Sequence, residues 1–285
     1  MIEVSPTAQE RAVERFGTAA LQRAVVALQE DGFVVIDDVV DHSHLDRLRE
    51  RMSEDLEKIR ALPVVPHNFV WGNIQQNPPP DADLVFRDVV ANPFVCQVTR
   101  ALLGNGAFNE CLTGNTNVPG SGLQPVHVDE GQLWPNLGEA HPPSRLVVNL
   151  ALSETTEQNG AIELWPGTHL DPHMVIGDNI RVPEELVAAR RAVRGPLLGA
   201  TRKGAILIRD MRLWHRGRPN HSAETRFMIA MIHNVAWYRR HGRFQLAQEC
   251  APVFAGCEIE NAIPLVAVPK DHLSGNAPHD YDGPN

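Results

Sequence analysis

The sequence predicts a mostly β fold with flanking helices, a double-stranded β-helix of the jelly-roll, cupin-like kind. Three observations predict it. Helical patterns dominate the first third. From Cys111 onward short strand-like runs alternate with Gly, Pro and Asn. One of those runs, Gln124-Pro125-Val126-His127-Val128-Asp129-Glu130, alternates apolar and metal-ligating side chains as a half-buried strand would.

In chain order, Leu21, Val25 and Leu28 recur at helical spacing until Asp31-Gly32 stops the run. A β-branched stretch, Phe33 to Val40, follows, and then a helix with Leu45, Leu48, Met52, Leu56 and Ile59 on one stripe. Pro63 to Pro80 is read as a connecting loop, a lid or pocket wall carrying Asn68, Phe69, Trp71, Gln75 and Gln76. Asn92-Pro93 is an N-cap followed by proline at the first helical position, and Gly104 closes the helix Pro93 to Leu103. Strands are expected at Cys111 to Val118, Val126 to Asp129, Arg145 to Leu152, Ala161 to Trp165, Gly204 to Arg209, Leu213 to Arg216 and Arg226 to Val235. Pro183 opens a helical insertion, Glu184 to Val193, and Ser274 to Asn285 reads as irregular. The whole is one domain: residues 1–110 mainly helical with the loop 63–80, 111–238 the jelly-roll, and 239–285 a C-terminal extension.

Composition excludes several classes. A net charge of -9 is wrong for a general nucleic-acid or anionic-membrane binder. No apolar run is long enough to span a bilayer, and the polar, acidic start lacks a signal-peptide core. Cys96, Cys111, Cys250 and Cys257 show no C-x-x-C spacing, so free thiols and a cytoplasmic location are expected. The partner is then a small-molecule substrate, and the protein a monomer or homodimer.

In a strand, His127 and Asp129 face the same side, and a distant His215 would complete two histidines and one carboxylate on one face of an octahedral ion. That set leaves positions for a co-substrate and dioxygen, as a non-haem Fe(II) oxygenase requires. A salt-bridged His-Asp pair without metal fits the spacing equally well. Two other histidine clusters are explained more simply. His169-Leu170-Asp171-Pro172-His173 follows the Pro166-Gly167 turn, and His42-Ser43-His44 starts a helix. Arg226, at the head of an apolar strand, has the planar fork that a 2-oxoglutarate distal carboxylate would need.

At these residues the chain resembles the phytanoyl-CoA dioxygenase family of Fe(II)/2-oxoglutarate oxygenases. The likeness runs from Leu28–Val40 through Asn159-Gly160-Ala161, Trp165 to His169 and Lys203 to His215, to Arg218-Pro219-Asn220 and Arg226. It implies that His127, Asp129 and His215 ligate Fe(II), that Arg226 grips 2-oxoglutarate, and that Asn117 lies near that co-substrate. Many relatives carry serine two positions after the distal histidine; here it is Gly217. Further stretches, among them Asn68-Phe69, Gln75-Gln76 and Leu133-Trp134-Pro135, are similar to aminoglycoside-tailoring members of the family and imply a polar substrate. Its contacts are expected from Asn68, Phe69, Trp71, Gln75, Glu130, Trp134 and Trp237; Glu130 would pair an ammonium group if the substrate is polyamino, and for Glu130 and Trp134 a supporting role in the core fits the sequence equally well. Asp129 argues against halogenation, since halogenating relatives lack that carboxylate. The alternatives are a cupin-like metal-dependent isomerase or hydrolase, for which Arg226 has no use, and a metal-free binding protein on the same barrel.

Overall fold

A computed structural model describes residues 1–134, 137–173, 180–239 and 242–279. The expected irregular end, 274–285, is therefore described only to residue 279.

Fourteen short strands are described, in chain order: β1 (Glu3–Val4), β2 (Phe33–Ile36), β3 (His67–Asn68), β4 (Val70–Gln75), β5 (Phe108–Asn117), β6 (Arg145–Ala151) and β7 (Ile162–Leu164). They continue as β8 (Leu197–Gly199), β9 (Ile206–Asp210), β10 (His215–Arg216), β11 (Arg226–Asn234), β12 (Leu246–Ala247), β13 (Glu260–Asn261) and β14 (Leu265–Val266). The major sheet runs β1-β2-β9-β6-β11-β5-β4-β3, with β13 also on β5. A smaller sheet, β10-β7-β8, faces it, and β12 pairs with β14.

Strand alternation divides the major sheet into two faces. Phe227, Ile229 and Met231 of β11, with Leu146, Val148 and Leu150 of β6 and Ile206 and Ile208 of β9, belong to the main core. Helices α2 (Thr18–Glu30), α3 (His42–Arg60) and α5 (Pro93–Leu103) contribute Leu28, Leu48 and Val98 to the same core. The intervening residues Arg226, Met228, Ala230 and Ile232 turn to a cavity between the sheets. With both faces covered, β6, β9 and β11 read as mainly apolar runs. Each apolar side chain so buried contributes about 1.5–3 kcal/mol, so the cavity is framed by the part of the fold hardest to deform.

Helices end where their caps require. Asp41 Oδ1 accepts the Ser43 amide at 2.7 Å at the start of α3, and Asn92 Oδ1 accepts those of Phe94 and Val95 at 3.2 and 3.3 Å at the start of α5. Three short helices complete the described set: α1 (Ala8–Ala12), α4 (Arg87–Val90) and the insertion α6 (Glu184–Val193).

Two expectations change. The segment 63–80 holds a hairpin, β3 and β4, rather than a plain loop, and β4 pairs antiparallel with β5 through Asn73↔Asn117 and Ile74↔Thr116. Its Asn, Gln and Gly content conceals it, because what fixes it is pairing with a long neighbour. Conversely, Val126–Asp129 forms no ladder strand. His127 makes isolated bridges to Arg181 and His215, and beyond it the amides of Asp129 and Glu130 both reach the Met211 carbonyl, at 3.0 and 3.2 Å. The two-residue β10 is too short to carry regular pairing further.

Candidate metal and co-substrate site

His127 and His215 are locked together by reciprocal backbone hydrogen bonds of 2.9 Å, N–H to O=C in each direction. Val126 and Val128 point the other way, into a cluster with Trp165, Val187 and Trp214. That packing turns His127 and Asp129 inward. Nδ1 of His127 lies 2.9 Å from the Pro125 carbonyl, and Nδ1 of His215 lies 2.9 Å from that of Leu213. A carbonyl can only accept, so each Nδ1 carries the proton and each Nε2 is left with a lone pair. Ligand atoms of His127, Asp129 and His215 all lie within 4.8 Å of one another, with Asp129 Oδ1 3.5 Å from His215 Nε2.

The charge states suit a divalent cation. Burial, with His215 alongside, pushes His127 down to about 3, so its imidazole is neutral at any physiological pH. Burial alone would raise Asp129, but the guanidinium of Arg209 and the two imidazoles outweigh it and hold the carboxyl well below its usual range. Two imidazole nitrogens and one anionic oxygen converging on a point, with each Nδ1 tied back to a carbonyl, form a donor set that fits Fe(II).

The triad opens into a cavity of about 450 Å³ between the two sheets. Arg226 lines it, 6% exposed, and its Nε has no partner among the described residues. Burial pushes its guanidinium down to about 10, which leaves it charged at neutral pH. A buried, incompletely paired cation facing a cavity has the chemistry to pair with an anion.

The other sequence-derived residues separate into two groups. Asn68, Phe69 and Gln75 line the cavity. The Phe69 ring sits 4.3 Å from that of His127, its backbone held at φ 65° in the left-handed region. Asn117 does not line it. Its Nδ2 donates to the Arg218 carbonyl at 3.0 Å and its Oδ1 accepts the Ser121 hydroxyl, so it braces the turn before β11.

Glu130 is turned away as well, into a buried ion cluster. Arg145 Nη1 lies 3.1 Å and the Tyr238 hydroxyl 2.8 Å from its Oε1, and Arg145 also pairs with Glu110. Trp71, Trp134 and Trp237 are 61%, 46% and 61% exposed and lie outside the cavity wall; Trp134 and Trp237 pack on one another at 5.9 Å.

Three further cavity residues, none singled out by the sequence, shape the site. Arg209, in β9, donates Nη2 to Asp129 Oδ2 at 2.6 Å and Nε to Asn149 Oδ1 at 3.1 Å. Gln124 accepts the Gly217 amide at 2.7 Å and donates Nε2 to the Asn68 carbonyl at 3.2 Å. A Cβ at position 217 would stand 2.7 Å from Gln124 Oε1, so the glutamine occupies the space a serine would use. His279 arrives from the C-terminal extension: its amide bonds the His67 carbonyl at 3.0 Å and its carbonyl accepts the Phe69 amide at 3.1 Å.

The model of the phytanoyl-CoA dioxygenase family matches residues 28–228, a span that includes the triad and Arg226. The chain belongs to that family. Among similar proteins is the dioxygenase aneA of Aspergillus aculeatus, 28% identical over 156 residues, covering 50% of this chain and 51% of that one. Another is the dioxygenase FUM3 of Gibberella moniliformis, 28% identical over 182 residues, covering 56% and 59%. The chain thus spans about half the length of the curated relatives it matches.

Two solved structures are similar. One is the non-haem alpha-ketoglutarate-dependent carbocyclase SnoK from nogalamycin biosynthesis (TM-score 0.59, 19% identity, 78% of this chain and 86% of that one). The other is the epimerase SnoN, solved with Fe3+, alpha-ketoglutarate and nogalamycin RO (0.57, 18%, 77% and 85%). At these identities the likeness establishes the jelly-roll fold, the arrangement this phytanoyl-CoA dioxygenase family member uses to bring β10 and β11 to one cavity. No helix among the described residues is long and apolar enough to cross a membrane.

Proposed function

We propose that the protein is an Fe(II)- and 2-oxoglutarate-dependent dioxygenase that oxidises a polar small molecule, by hydroxylation or by further oxidation or ring closure. The observation that carries this reading is the presence, in one cavity, of the converging triad and of Arg226 with an unpartnered Nε. A cupin-like isomerase or hydrolase would need the first and have no use for the second.

When bound, iron and 2-oxoglutarate supply the oxidising power, taken from dioxygen as the keto acid loses carbon dioxide and becomes succinate. The chain supplies placement. His127 and His215 present Nε2, Asp129 presents Oδ1, and Arg226 holds the distal carboxylate by a charge-assisted pair. Asn68, Asn73 and Asn115 line the wall with amides suited to hydroxyl or amide groups on a substrate. The Phe69 ring shields one side of His127 from water. Sequence likeness to kanamycin B dioxygenase, and the nogalamycin enzymes among the structural neighbours, support a natural-product intermediate such as a sugar as substrate. A cytoplasmic location and a monomeric or homodimeric state complete the proposal.

Calorimetry under nitrogen on the Fe(II)-loaded protein tests it. 2-Oxoglutarate should bind at least about 100-fold more tightly than 2-oxobutyrate, which lacks the distal carboxylate, because an unpaired buried charge costs several kcal/mol. Equal affinities would remove Arg226 from the account.

A further inference from the structure

One pair of reactive side chains takes no part in the site described above. Sγ of Cys96 and Sγ of Cys257 lie 3.1 Å apart, although 161 residues separate them in the chain. An S–S bond is about 2.05 Å long, so an approach of about 1 Å would join them. Cys96 belongs to α5 and is 2% exposed in the main core. Cys257 is half-buried and lies in the C-terminal extension, beyond residue 228 where the family match ends.

The extension is held here independently of the sulfurs. Arg87 Nη1 donates to the Ala255 carbonyl at 2.9 Å, Arg100 Nη1 donates to Glu258 Oε2 at 3.0 Å, and Arg15 pairs with Glu258 Oε1. Just beyond, β13 pairs with β5 through Glu260↔Phe108 and Asn261↔Asn109. Both sulfurs are thus carried on fixed backbone, which keeps each at the other's reach.

The two thiols also differ in the way that oxidation of sulfur needs. The Cys96 thiol donates to Cys257 and the Ile259 amide reaches the same sulfur, which pushes Cys257 down to about 7, while that bond to Cys257 holds Cys96 well above its usual value. The half-buried member is the thiolate and the buried member keeps its proton. Desolvation pushes Cys111 up to about 12 and raises Cys250 as well, so neither competes.

We infer that Cys96 and Cys257 are a peroxide-sensitive modification site, closing to a reversible disulfide that fastens the C-terminal extension to α5. The Cys257 thiolate attacks one oxygen of hydrogen peroxide, the O–O bond breaks, and the departing hydroxide leaves as water with the proton that Cys257 had released. Cys257 is then a sulfenic acid. The Cys96 sulfur attacks it, the S–S bond forms as the S–O bond breaks, and the hydroxyl leaves with the Cys96 proton as a second water. Two thiols lose two electrons and one peroxide gains them. Neither the metal nor 2-oxoglutarate takes part, so the inference stands apart from the oxygenase reading. Past Cys257 the extension runs through β13 to His279, so the bond would tie that part of the cavity wall to the helical side of the core.

The test treats the purified full chain, reduced and kept with a metal chelator, with hydrogen peroxide. Thiols counted under denaturant should fall from four to two, and the mass should fall by the two hydrogens lost. Tryptic peptide 88–100 should appear joined to peptide 244–270, with the bond on Cys257 and not on Cys250. Dithiothreitol should restore all four thiols. The oxidised form should melt at least about 3 °C higher, because closing so long a loop constrains the unfolded chain. Cys257→Ser should give no joined peptide and no rise in melting temperature with peroxide.

A thiol count that stays at four, a bond to Cys250 or Cys111, or oxygen taken up at Cys257 without the bond would each overturn the inference. So would a link between two copies of the chain, or a melting temperature unchanged once the bond has formed. If Cys257→Ser does not fold, the peptide map of the unaltered protein still decides.

Discussion

Two stretches of this chain carry the same pattern, His-X-Asp, and differ in almost everything else. In His127-Val128-Asp129 both polar side chains face the cavity because the valines between and before them enter an apolar cluster. In His169-Leu170-Asp171 the backbone is a 3-10 turn, not an extended run. There His169 is 1% exposed, with Nε2 3.2 Å from the Gln29 carbonyl, and its ring packs so closely on Gly32 that a Cβ there would come within 2.6 Å. Asp171 caps His173 at 2.9 Å. A motif becomes a ligand pair only where the backbone gives it a shared face and a third group meets it. His215 is that third group for the first stretch.

The comparison can be broken most directly by substitution. Asp129→Ala or His215→Ala should lower Fe(II) affinity by well over about 100-fold, since the loss of an outer partner alone costs 10–100-fold. His169→Ala should leave that affinity within about 2-fold and lower stability by about 1–3 kcal/mol, the range for losing a buried hydrogen-bonded group. Metal titration and thermal unfolding on the same samples separate the two. Metal loss in His169→Ala would contradict the assignment.

A third kind of buried histidine sharpens the point. His233 of β11 lies on the main-core side of the sheet, with Nδ1 2.9 Å from the Thr99 hydroxyl and no acidic partner. Burial pushes it down to about 4. Folded, it binds a proton less readily than the unfolded chain, where the group titrates near 6.5. Its contribution is therefore complete above about pH 6.5 and is lost as pH falls from there towards 4. The loss amounts to roughly 3 kcal/mol. Denaturant melts between pH 7 and 4 should show this slope for the native protein and a shallower one for His233→Asn. Parallel curves would mean that other groups control acid unfolding.

The smallest effect concerns Gly217. Gly217→Ser places an atom into Gln124 Oε1 and should destabilise by about 1–3 kcal/mol, as overpacking does. Adding Gln124→Ala should restore most of that. Equal melting temperatures for Gly217→Ser and the native protein would show that the glutamine yields freely.

Much of this was legible beforehand, and for physical reasons. The caps of α5, the alternation around His127 and the apolar run of β11 are local patterns, and local patterns survive folding unchanged. Glu130 was also legible, had alternation been followed: as the neighbour of Asp129 it must face away, and it does, into Arg145. Trp134 and Trp237, expected as substrate contacts, stand exposed outside the cavity wall, since a likeness in sequence does not say which way a side chain in a loop will point. Arg209 could not be read. In Ile206–Asp210 it looks like a charge at the end of a strand, and only the register Arg209↔Val147, with β9 beside β6, brings it to Asn149 and Asp129. His279 was hidden for a similar reason, since its place depends on backbone bonds to His67 and Phe69, about two hundred residues away in the chain.

The most direct test of the central claim is an anaerobic titration of the purified protein with Fe(II) and then 2-oxoglutarate, followed by visible absorption. The account predicts the charge-transfer band of a keto acid chelated through its C1 carboxylate and keto oxygen, saturating at one equivalent, and weakened at least about 100-fold in ligand affinity by Arg226→Ala. Tight iron binding with no such band would contradict the co-substrate site, and no iron binding at all would contradict the grouping of His127, Asp129 and His215.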